Sequence, residues 1–363
     1  MTHRAHNFNP GPATIPLSVL EKVQAELLDF EGSGMSLMEH SHRGPTYAAV
    51  HAEAKSLLRE LMGIPDTHEI LFMQGGASAQ FALIPMNLLG EGQSADYVIT
   101  GAWSKKAIGE AKIVGQARVA ADPSSDGKFI RIPSQAELEL DPKARYVHIT
   151  TNNTIAGTQF FEYPKTGEVP LIADMSSDIL WRPIDVSKFG MIYAGAQKNL
   201  GPSGVTLVII RKDLVESGRK DIPKIFRYQT IVDGDSLQNT GPTFSIYMVR
   251  NMLRWVKEHG GGEGMEKRNR DKAAILYAAI DAKADFFRCP VERASRSMMN
   301  VVFRLPSETL EKEFIAEAAA KHIVGIKGHR SVGGIRASIY NAMPPESVRA
   351  LVTLMNDFAA RKG

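Results

Sequence analysis

The chain has 363 residues, more than one hydrophobic core usually serves, so two domains are expected. Hydrophobic residues make up 44% and charged residues 23%, as in ordinary folded globular proteins. The formal net charge of +3, from 43 basic and 40 acidic residues, is too balanced for a nucleic-acid-binding protein. Positive charge is therefore expected to matter in local clusters.

The single cysteine, Cys289, excludes a disulfide within the chain and favours a reducing compartment. The first residues lack the apolar stretch of a signal peptide. The longest apolar runs, such as 205–210, are too short to span a bilayer. These features predict a cytoplasmic protein without nucleic-acid or membrane partners.

In chain order, apolar residues at helical spacing predict helices over 17–30 and 46–63, the second ending at its glycine. Residues 69–75 form a predicted strand, and a helix over 77–89, disturbed at Pro85, follows it. Further buried strands are predicted at 95–101, 145–151, 170–176, 191–196 and 205–210. Because helical or loop segments separate most of these strands, the pattern predicts an α/β domain with a mainly parallel sheet.

A glycine-rich run at 260–264 interrupts this pattern. It follows a helix rather than a strand, and no Gly-Lys-Ser/Thr comes after it, so a phosphate loop is disfavoured. A domain boundary or hinge is the better interpretation. Strands at 300–306 and 334–340, with a helix between them, then predict a smaller α+β domain.

Lys198 follows an apolar strand and precedes a Gly-Pro-Ser-Gly turn. Desolvation there would lower its pKa and make it a usable nucleophile and base, although a surface lysine is the ordinary alternative. Asp174 ends the strand 24 residues earlier, where ligands of open α/β sheets bind. Pyridoxal phosphate (PLP) needs a lysine for its aldehyde and a carboxylate for its ring nitrogen. A turn or helix-cap role is the alternative for Asp174.

Two weaker features accompany this pair. The segment GGASAQ (75–80) lies between a strand and a helix, where backbone N–H groups favour a phosphate. Trp103 follows a predicted strand and could stack on an aromatic ring, although an ordinary core tryptophan fits as well.

Basic residues cluster at 40–44 and at 327–338. Arginine forks suit carboxylates and phosphates, whereas a solvated surface is the alternative for each cluster. His40 and His42 raise the question of a metal, but no third ligand with suitable spacing accompanies them. An anion site is therefore favoured, and no metal site is predicted.

Several longer segments resemble the phosphoserine aminotransferase family, within the class V aminotransferases, in order and spacing. They are NFNPGPATIP, SLMEHSHRGPTY, LFMQGGASAQF, TNNTIAGTQF, ADMSSDIL, IYAGAQKNLGPSG, QNTGPTFSIY and KGHRSVGGIRASIYNAMP. The resemblance implies a homodimeric PLP enzyme of fold type I, whose α/β domain has a mainly parallel sheet of the seven-stranded kind found in that fold. It also implies a large PLP-binding domain over 16–262 and a small α+β domain made of 1–15 and 263–363.

The resemblance implies that Lys198 is the Schiff-base lysine and that Asp174 pairs with the pyridinium nitrogen. Trp103 would stack on the ring and Thr154 would bind its phenolic oxygen. The phosphate would be held by Ala77, Ser78 and Gln197, and by Asn239 and Thr240 of the neighbouring subunit.

The resemblance also implies transamination between glutamate and 3-phosphooxypyruvate, giving O-phosphoserine and 2-oxoglutarate in serine biosynthesis. Arg336 would bind the substrate α-carboxylate. The distal anion would be bound by His42, Arg43, His329 and Arg330, some of them from the partner chain, with Arg43 expected to serve glutamate. A second reaction, toward 4-phosphohydroxythreonine in vitamin B6 synthesis, stays open.

Two alternatives stay open as well. One is another class V enzyme, such as a cysteine desulfurase or an alanine–glyoxylate aminotransferase, but a desulfurase needs a reactive cysteine on a mobile loop and Cys289 precedes a predicted strand. The other is a PLP-fold protein that binds a partner without catalysis. The presence of Lys198, Asp174 and both basic clusters disfavours it.

Overall fold

The computed structural model describes residues 4–363. The helices in that range are α1 (Leu17–Ala25), α2 (Pro45–Met62), α3 (Gly76–Leu88), α4 (Ala102–Val114), α5 (Lys212–Glu216), α6 (Tyr228–Asp233), α7 (Thr243–Glu258), α8 (Gly261–Asp281), α9 (Glu308–Ala320) and α10 (Pro345–Lys362). The strands are β1 (His6–Asn7), β2 (His68–Met73), β3 (Ser94–Val98), β4 (Gln116–Ala121), β5 (Val147–Thr150), β6 (Asn152–Asn153), β7 (Thr158–Gln159), β8 (Leu171–Asp174), β9 (Met191–Gly195), β10 (Thr206–Arg211), β11 (Asn300–Phe303), β12 (Ile323–Val324) and β13 (Ile335–Ser338).

The main sheet has seven strands in the order β2-β10-β9-β8-β5-β3-β4. The pairs β4-β3, β3-β5, β5-β8 and β8-β9 are parallel, whereas β10 runs antiparallel to both of its neighbours. The predicted α/β fold with a mainly parallel sheet is therefore confirmed. Strands β5, β8 and β9 are buried along their whole length, as expected of central parallel strands covered on both faces.

The strand directions place five chain segments at one edge of this sheet. Strands β3, β5, β8 and β9 all end there because they are parallel. Strand β2 also ends there, because it is separated from β9 by the single antiparallel strand β10. Six of the fourteen candidate site residues lie in the segments that follow these strands, and Asp174 ends β8 itself, so the topology alone brings these seven to the same edge.

One detail of the sequence-based prediction needs correction. The helix predicted over 17–30 ends at Ala25, and Glu31, Gly32 and Gly34 adopt left-handed backbone angles in the loop beyond it. Leu28 has 84% of its surface exposed, so the apolar spacing there does not reflect burial. Helix α8 begins inside the glycine run at 260–264, whose interpretation as a domain boundary or hinge stays a prediction. In contrast, α2 ends before the left-handed Gly63 as predicted.

Apolar residues form three large clusters, one of which packs on one face of the main sheet and includes residues from Leu71 to Val232. The other two contain residues from both ends of the described chain. The first contains residues from Val19 to Met265 together with Ala342. The second contains Phe8 and residues from Ala273 to Ala359, and it packs around the β11-β13 pair. The division of the chain at residue 262 stays a prediction. Within residues 4–363, no helix combines the length and the apolar character needed to cross a membrane.

Buried polar side chains join the sheet edge to the second cluster. Asn152 Nδ2 donates to Asn300 Oδ1 at 2.7 Å, and Ser297 Oγ donates to Asn152 Oδ1 at 2.5 Å. The hydroxyl of Tyr340, just beyond β13, donates to the carbonyl of Pro10 at 2.7 Å. Because buried polar groups lose free energy when they are unpaired, this network fixes one relative placement of the segments that it joins.

Gly157, in the β6-β7 hairpin, provides a test of this contact. Its φ is +77°, and an added Cβ would lie 2.7 Å from Val302 Cγ2. Gly92 has a similar φ of +73° with open space around it. We expect Gly92→Ala to cost about 1–2 kcal/mol through backbone strain. Gly157→Ala should cost about 1–3 kcal/mol more through overpacking. Urea denaturation of both variants measures the difference, and equal losses would show that the hairpin does not pack tightly against β11.

Candidate active site

Asp174, the last residue of β8, is buried and is held by the turn that follows it. Ser176 donates to Asp174 Oδ1 from its backbone N–H at 2.9 Å and from its hydroxyl at 2.6 Å. The same hydroxyl accepts a hydrogen bond from the Gly195 N–H at the end of β9, at 3.1 Å. Since Ser176 Oγ accepts from Gly195, its one hydrogen is free to go to Asp174. Among residues 4–363, Asp174 Oδ2 has no hydrogen-bond partner, so it is available to a ligand.

Lys198 comes three residues after β9, the strand that neighbours β8 in the sheet, and its side chain is half-buried. Its Nζ lies 5.4 Å from the centre of the Trp103 ring. The backbone of Gly11 packs on its stem, because a Cβ added there would lie 3.1 Å from Lys198 Cγ. Burial lowers the pKa of Lys198, and Arg336 lowers it further, whereas Asp174 opposes both effects. The result is an amine more easily deprotonated than an ordinary lysine, next to a carboxylate and an aromatic ring.

Trp103 belongs to the first turn of α4, after β3, and starts a chain of contacts toward β13. Its indole Nε1 donates to Thr154 Oγ1 at 3.0 Å. The Thr154 carbonyl in turn accepts from Arg336 Nη1 at 3.2 Å. Arg336 is buried, and its Nε has no partner among the described residues. A buried guanidinium with an unused donor is suited to an anionic ligand.

Trp103 and Arg336, the two ends of this series of contacts, line a cleft of about 900 Å³. His329, in the loop before β13, lines the same cleft. Burial lowers the pKa of His329, and the charges of Arg336, Arg330 and Lys106 lower it further. Several positive groups therefore act on one region of the cleft, as an anion-binding site requires.

The turn between β2 and α3 has the geometry of an anion cradle. Gly75 and Gly76 have φ values of +92° and +67°, and α3 begins at Gly76. Ala77 and Ser78 therefore lie in the first turn of the helix, where backbone N–H groups have no partner within the helix. Gln197, which neighbours Lys198, accepts a hydrogen bond at its carbonyl from the Ala13 N–H at 2.9 Å.

A second group of predicted site residues gathers elsewhere on the chain. Arg43 Nη2 donates to the carbonyls of Leu237 and Gln238 at 3.2 and 3.4 Å. His42 Nδ1 lies 3.3 Å from Thr240 Oγ1. The buried atoms His42 Nε2 and Asn239 Oδ1 have no partner among the described residues. We call His42, Arg43, Asn239 and Thr240 the 42–240 cluster. Its hydrogen bonds do not reach Lys198, Asp174 or Arg336 within one chain.

The site also contains residues that the sequence analysis missed. Ser176 positions Asp174, and the buried Asp178 lies four residues beyond Asp174 in the same DMSSD motif. The sequence signal that could have identified Asp178 was a second aspartate only four residues after Asp174. Within residues 4–363, no group of three or more His, Cys, Asp or Glu side chains has a metal-binding arrangement. His40 contacts Ser33 rather than His42.

Comparisons with known proteins agree with this geometry. The profile of the family Aminotransferase class-V matches residues 5–351. The phosphoserine aminotransferase of Niallia circulans is 54% identical over 363 residues, covering both chains completely. The structure of the enzyme from Bacillus circulans subsp. alkalophilus covers both chains completely with a TM-score of 0.98 and 54% identity. A PLP-bound phosphoserine aminotransferase from Trichomonas vaginalis has a TM-score of 0.93 and 39% identity, covering 97% of this chain and all of that one.

The chain therefore belongs to the class-V aminotransferase family. It is a PLP-dependent aminotransferase with the fold-type I architecture. The residues present fit the cofactor, because Asp174 Oδ2 has no partner in the part of the chain that the structure describes, Lys198 adjoins Trp103, and the Gly75–Gly76 turn has no side chains.

Gly75→Ala tests whether this turn anchors the cofactor phosphate. An added Cβ would lie 2.5 Å from the Ala79 Cβ at a φ of +92°, so the first turn of α3 must shift. We expect the affinity for PLP to fall about tenfold or more, which corresponds to about 1.4 kcal/mol or more. Absorbance titration of the apoenzyme with PLP measures this, with Gly92→Ala as the control for backbone strain alone. Unchanged affinity would place the anchor elsewhere.

Proposed function

We propose that the protein transfers the amino group of glutamate to 3-phosphooxypyruvate, giving O-phosphoserine and 2-oxoglutarate in serine biosynthesis. The observation that carries this proposal is identity of 54% over the full length with a phosphoserine aminotransferase. The placement of Arg336 and His329 on one cleft beside Trp103 supports it, since both substrates carry two anionic groups. A cytoplasmic location and the division into 16–262 and 1–15 with 263–363 belong to the same proposal.

The residues at the sheet edge are proposed to bind PLP, which supplies an aldehyde that accepts amines and a ring that withdraws electrons. Lys198 would carry the Schiff base, and Asp174 Oδ2 would pair with the ring nitrogen. Trp103 would stack on the ring. Thr154, which accepts from the Trp103 indole, would bind the phenolic oxygen. The phosphate would be held by Ala77, Ser78 and Gln197, with Asn239 and Thr240 from a second subunit.

Proton transfer is assigned to Lys198. Once an amino acid has displaced it, its Nζ would take the proton from the substrate Cα as a general base. The lowered pKa of Lys198 keeps a larger fraction of the amine unprotonated near neutral pH. The carboxylate of Asp174, held in place by Ser176, would keep the ring nitrogen protonated.

Substrate recognition is assigned to the arginine and histidine residues. Arg336 would bind the α-carboxylate through its guanidinium, and its orientation is fixed by the Thr154 carbonyl. The distal phosphate or carboxylate would be bound by His329 and Arg330 together with His42 and Arg43. Because a phosphate offers more acceptor oxygens than a carboxylate, it would engage more of these donors.

We propose a homodimer in which the 42–240 cluster completes the site of the partner. Among the described residues of one chain, His42 Nε2 and Asn239 Oδ1 have no hydrogen-bond partner. Both atoms are therefore proposed to bind a ligand held in the partner's site. Leu28, Leu17 and Met38 expose 84%, 41% and 54% of their surfaces close in sequence to this cluster. We assign these exposed apolar side chains to the proposed interface.

A cysteine desulfurase is disfavoured by the state of Cys289. Its Sγ contacts the Val291 carbonyl at 3.9 Å, and its side chain packs against the second apolar cluster. Burial raises the pKa of the thiol, so little thiolate forms at neutral pH.

A single half-reaction tests the substrate assignment. Phosphoserine added to the holoenzyme should bleach its visible absorbance rapidly, whereas serine should act at least about a hundredfold more slowly because it lacks the distal anion. Stopped-flow absorbance measures both rates, with alanine as a further control. Faster bleaching by alanine would contradict the substrate assignment and leave the aminotransferase class intact.

Mixed dimers test the shared site. Lys198→Ala and Arg43→Ala should each be nearly inactive as homodimers. If Arg43 acts in the partner's site, each heterodimer has one intact site, and a random mixture recovers roughly a quarter of wild-type activity. If both residues act in the same chain, no heterodimer has an intact site and activity stays at background. Lys188→Ala, a surface substitution, serves as the matched lysine control in co-expression.

A further inference from the structure

Asp178 is a buried carboxyl group that the proposed reaction does not use. It closes the turn that follows β8, with its backbone N–H donating to the Met175 carbonyl at 3.1 Å. Only 2% of its surface is exposed. Among residues 4–363 its carboxyl group forms no ion pair, and its hydrogen bonds are with the neutral side chains of Thr151 and Gln159.

The hydrogens available at Thr151 are too few for an ionised Asp178. Thr151 Oγ1 lies 2.5 Å from Asp178 Oδ1 and 3.0 Å from the carbonyl oxygen of Asp174. A hydroxyl has one hydrogen, and both of these neighbours would be acceptors if Asp178 were ionised. One of the two contacts would then lack a hydrogen. If Asp178 Oδ1 carries a proton, it donates to Thr151, and Thr151 donates to the Asp174 carbonyl.

Gln159 identifies which oxygen of Asp178 bears the proton. Its Oε1 accepts a hydrogen bond from the Met298 N–H at 2.8 Å, which fixes the orientation of the amide. Its Nε2 must therefore donate to Asp178 Oδ2, at 3.1 Å. Oδ2 is thus an acceptor, and the proton belongs on Oδ1, where Thr151 lies.

The charges around Asp178 are compatible with a neutral acid. The titratable groups that act on it or respond to it are Asp174, Lys198, Arg182, Tyr163 and Tyr340. Burial raises the pKa of Asp178 to about 7, and the negative charge of Asp174 raises it too. The hydrogen bonds from Thr151 and Gln159 and the charge of Arg182 act in the opposite direction.

We propose that Asp178 is a positioning residue held as a neutral carboxylic acid, whose Oδ1–H donates to Thr151 so that Thr151 can donate to the backbone carbonyl of Asp174. This chain of hydrogen bonds fixes the end of β8, and it leaves the negative charge of the turn on Asp174 alone. The positioning role rests on the proposed function, because it acts through the residue assigned to the cofactor nitrogen. The protonation state does not depend on that function.

The pH dependence of stability tests the protonation state. In the unfolded chain Asp178 ionises near pH 4, so between about pH 4 and about pH 7 only the folded state holds this proton. The wild-type protein therefore loses stability from this group as pH rises through that window. Asp178→Asn lacks the effect, since its amide donates to Thr151 and accepts from Gln159 as the acid does.

We expect the urea midpoint of Asp178→Asn, relative to wild type, to move upward between about pH 5 and about pH 8. An ionised Asp178 would titrate below this range, so a constant or falling difference would overturn the proposal. Difference infrared spectroscopy should also show a carboxylic-acid C=O band in wild type that Asp178→Asn lacks. Loss of a carboxylate band instead would overturn it as well.

The positioning role is tested by conservative rescue. Asp178→Leu should lower kcat about tenfold or more, because Thr151 loses its donor and Gln159 its acceptor. Asp178→Asn should lower kcat less than about threefold, since both hydrogen bonds can be made. Equal losses in the two variants would overturn the role. The stability test needs only Asp178→Asn, so it stands even if the Leu variant fails to fold. Wild-type activity with phosphoserine, measured first, separates a failure of the proposed function from a failure of this inference.

Discussion

The side chain of Ser176 links the two central strands on which the site depends. Its hydroxyl accepts from the end of β9 and donates to Asp174 at the end of β8, so it sets the spacing between the carboxylate and the strand that leads to Lys198. Both strands are buried on both faces and cannot shift without breaking the packing of the sheet. The placement of Asp174 relative to the strand that leads to Lys198 is therefore set by the sheet itself.

Burial at this edge has opposite effects on the groups that lie there. It lowers the pKa of Lys198 and raises those of Asp174 and Asp178, so each group is pushed toward its neutral form. Lys198 and Asp174 counteract this by stabilising each other's charge. Among the described residues Asp178 forms no ion pair, and its hydrogen bonds are with the neutral side chains of Thr151 and Gln159. Three titratable residues in one buried region can thus have different charge states, which is how a site obtains both a base and a fixed counter-charge.

Polar contacts between the sheet edge and the β11-β13 pair place Arg336 beside the residues at the sheet edge. Asn152, Asn300 and Ser297 form a buried network, and Arg336 donates to the Thr154 carbonyl. The guanidinium of Arg336 is therefore held at Nη1, while its Nε has no partner among the described residues. Within one chain, the hydrogen bonds of the 42–240 cluster do not reach Arg336 or the sheet edge, which is why the proposed function includes a second subunit.

Local sequence patterns correctly predicted the α/β class and the mainly parallel sheet, and they suggested roles for Lys198 and Asp174. Apolar periodicity and the residue types that come directly after buried strands carry this information. Both are local features, because they depend only on neighbours in the chain. Resemblance to a known family supplied the remaining residue roles. The end of α1 at Ala25 could not be predicted, because Leu28 fits the helical spacing and yet is exposed. Only the tertiary structure brought Thr151 and Gln159 to Asp178, across 27 and 19 residues of sequence. Hydrogen counts at a buried group depend on partners that are distant in the chain, and no local pattern encodes them.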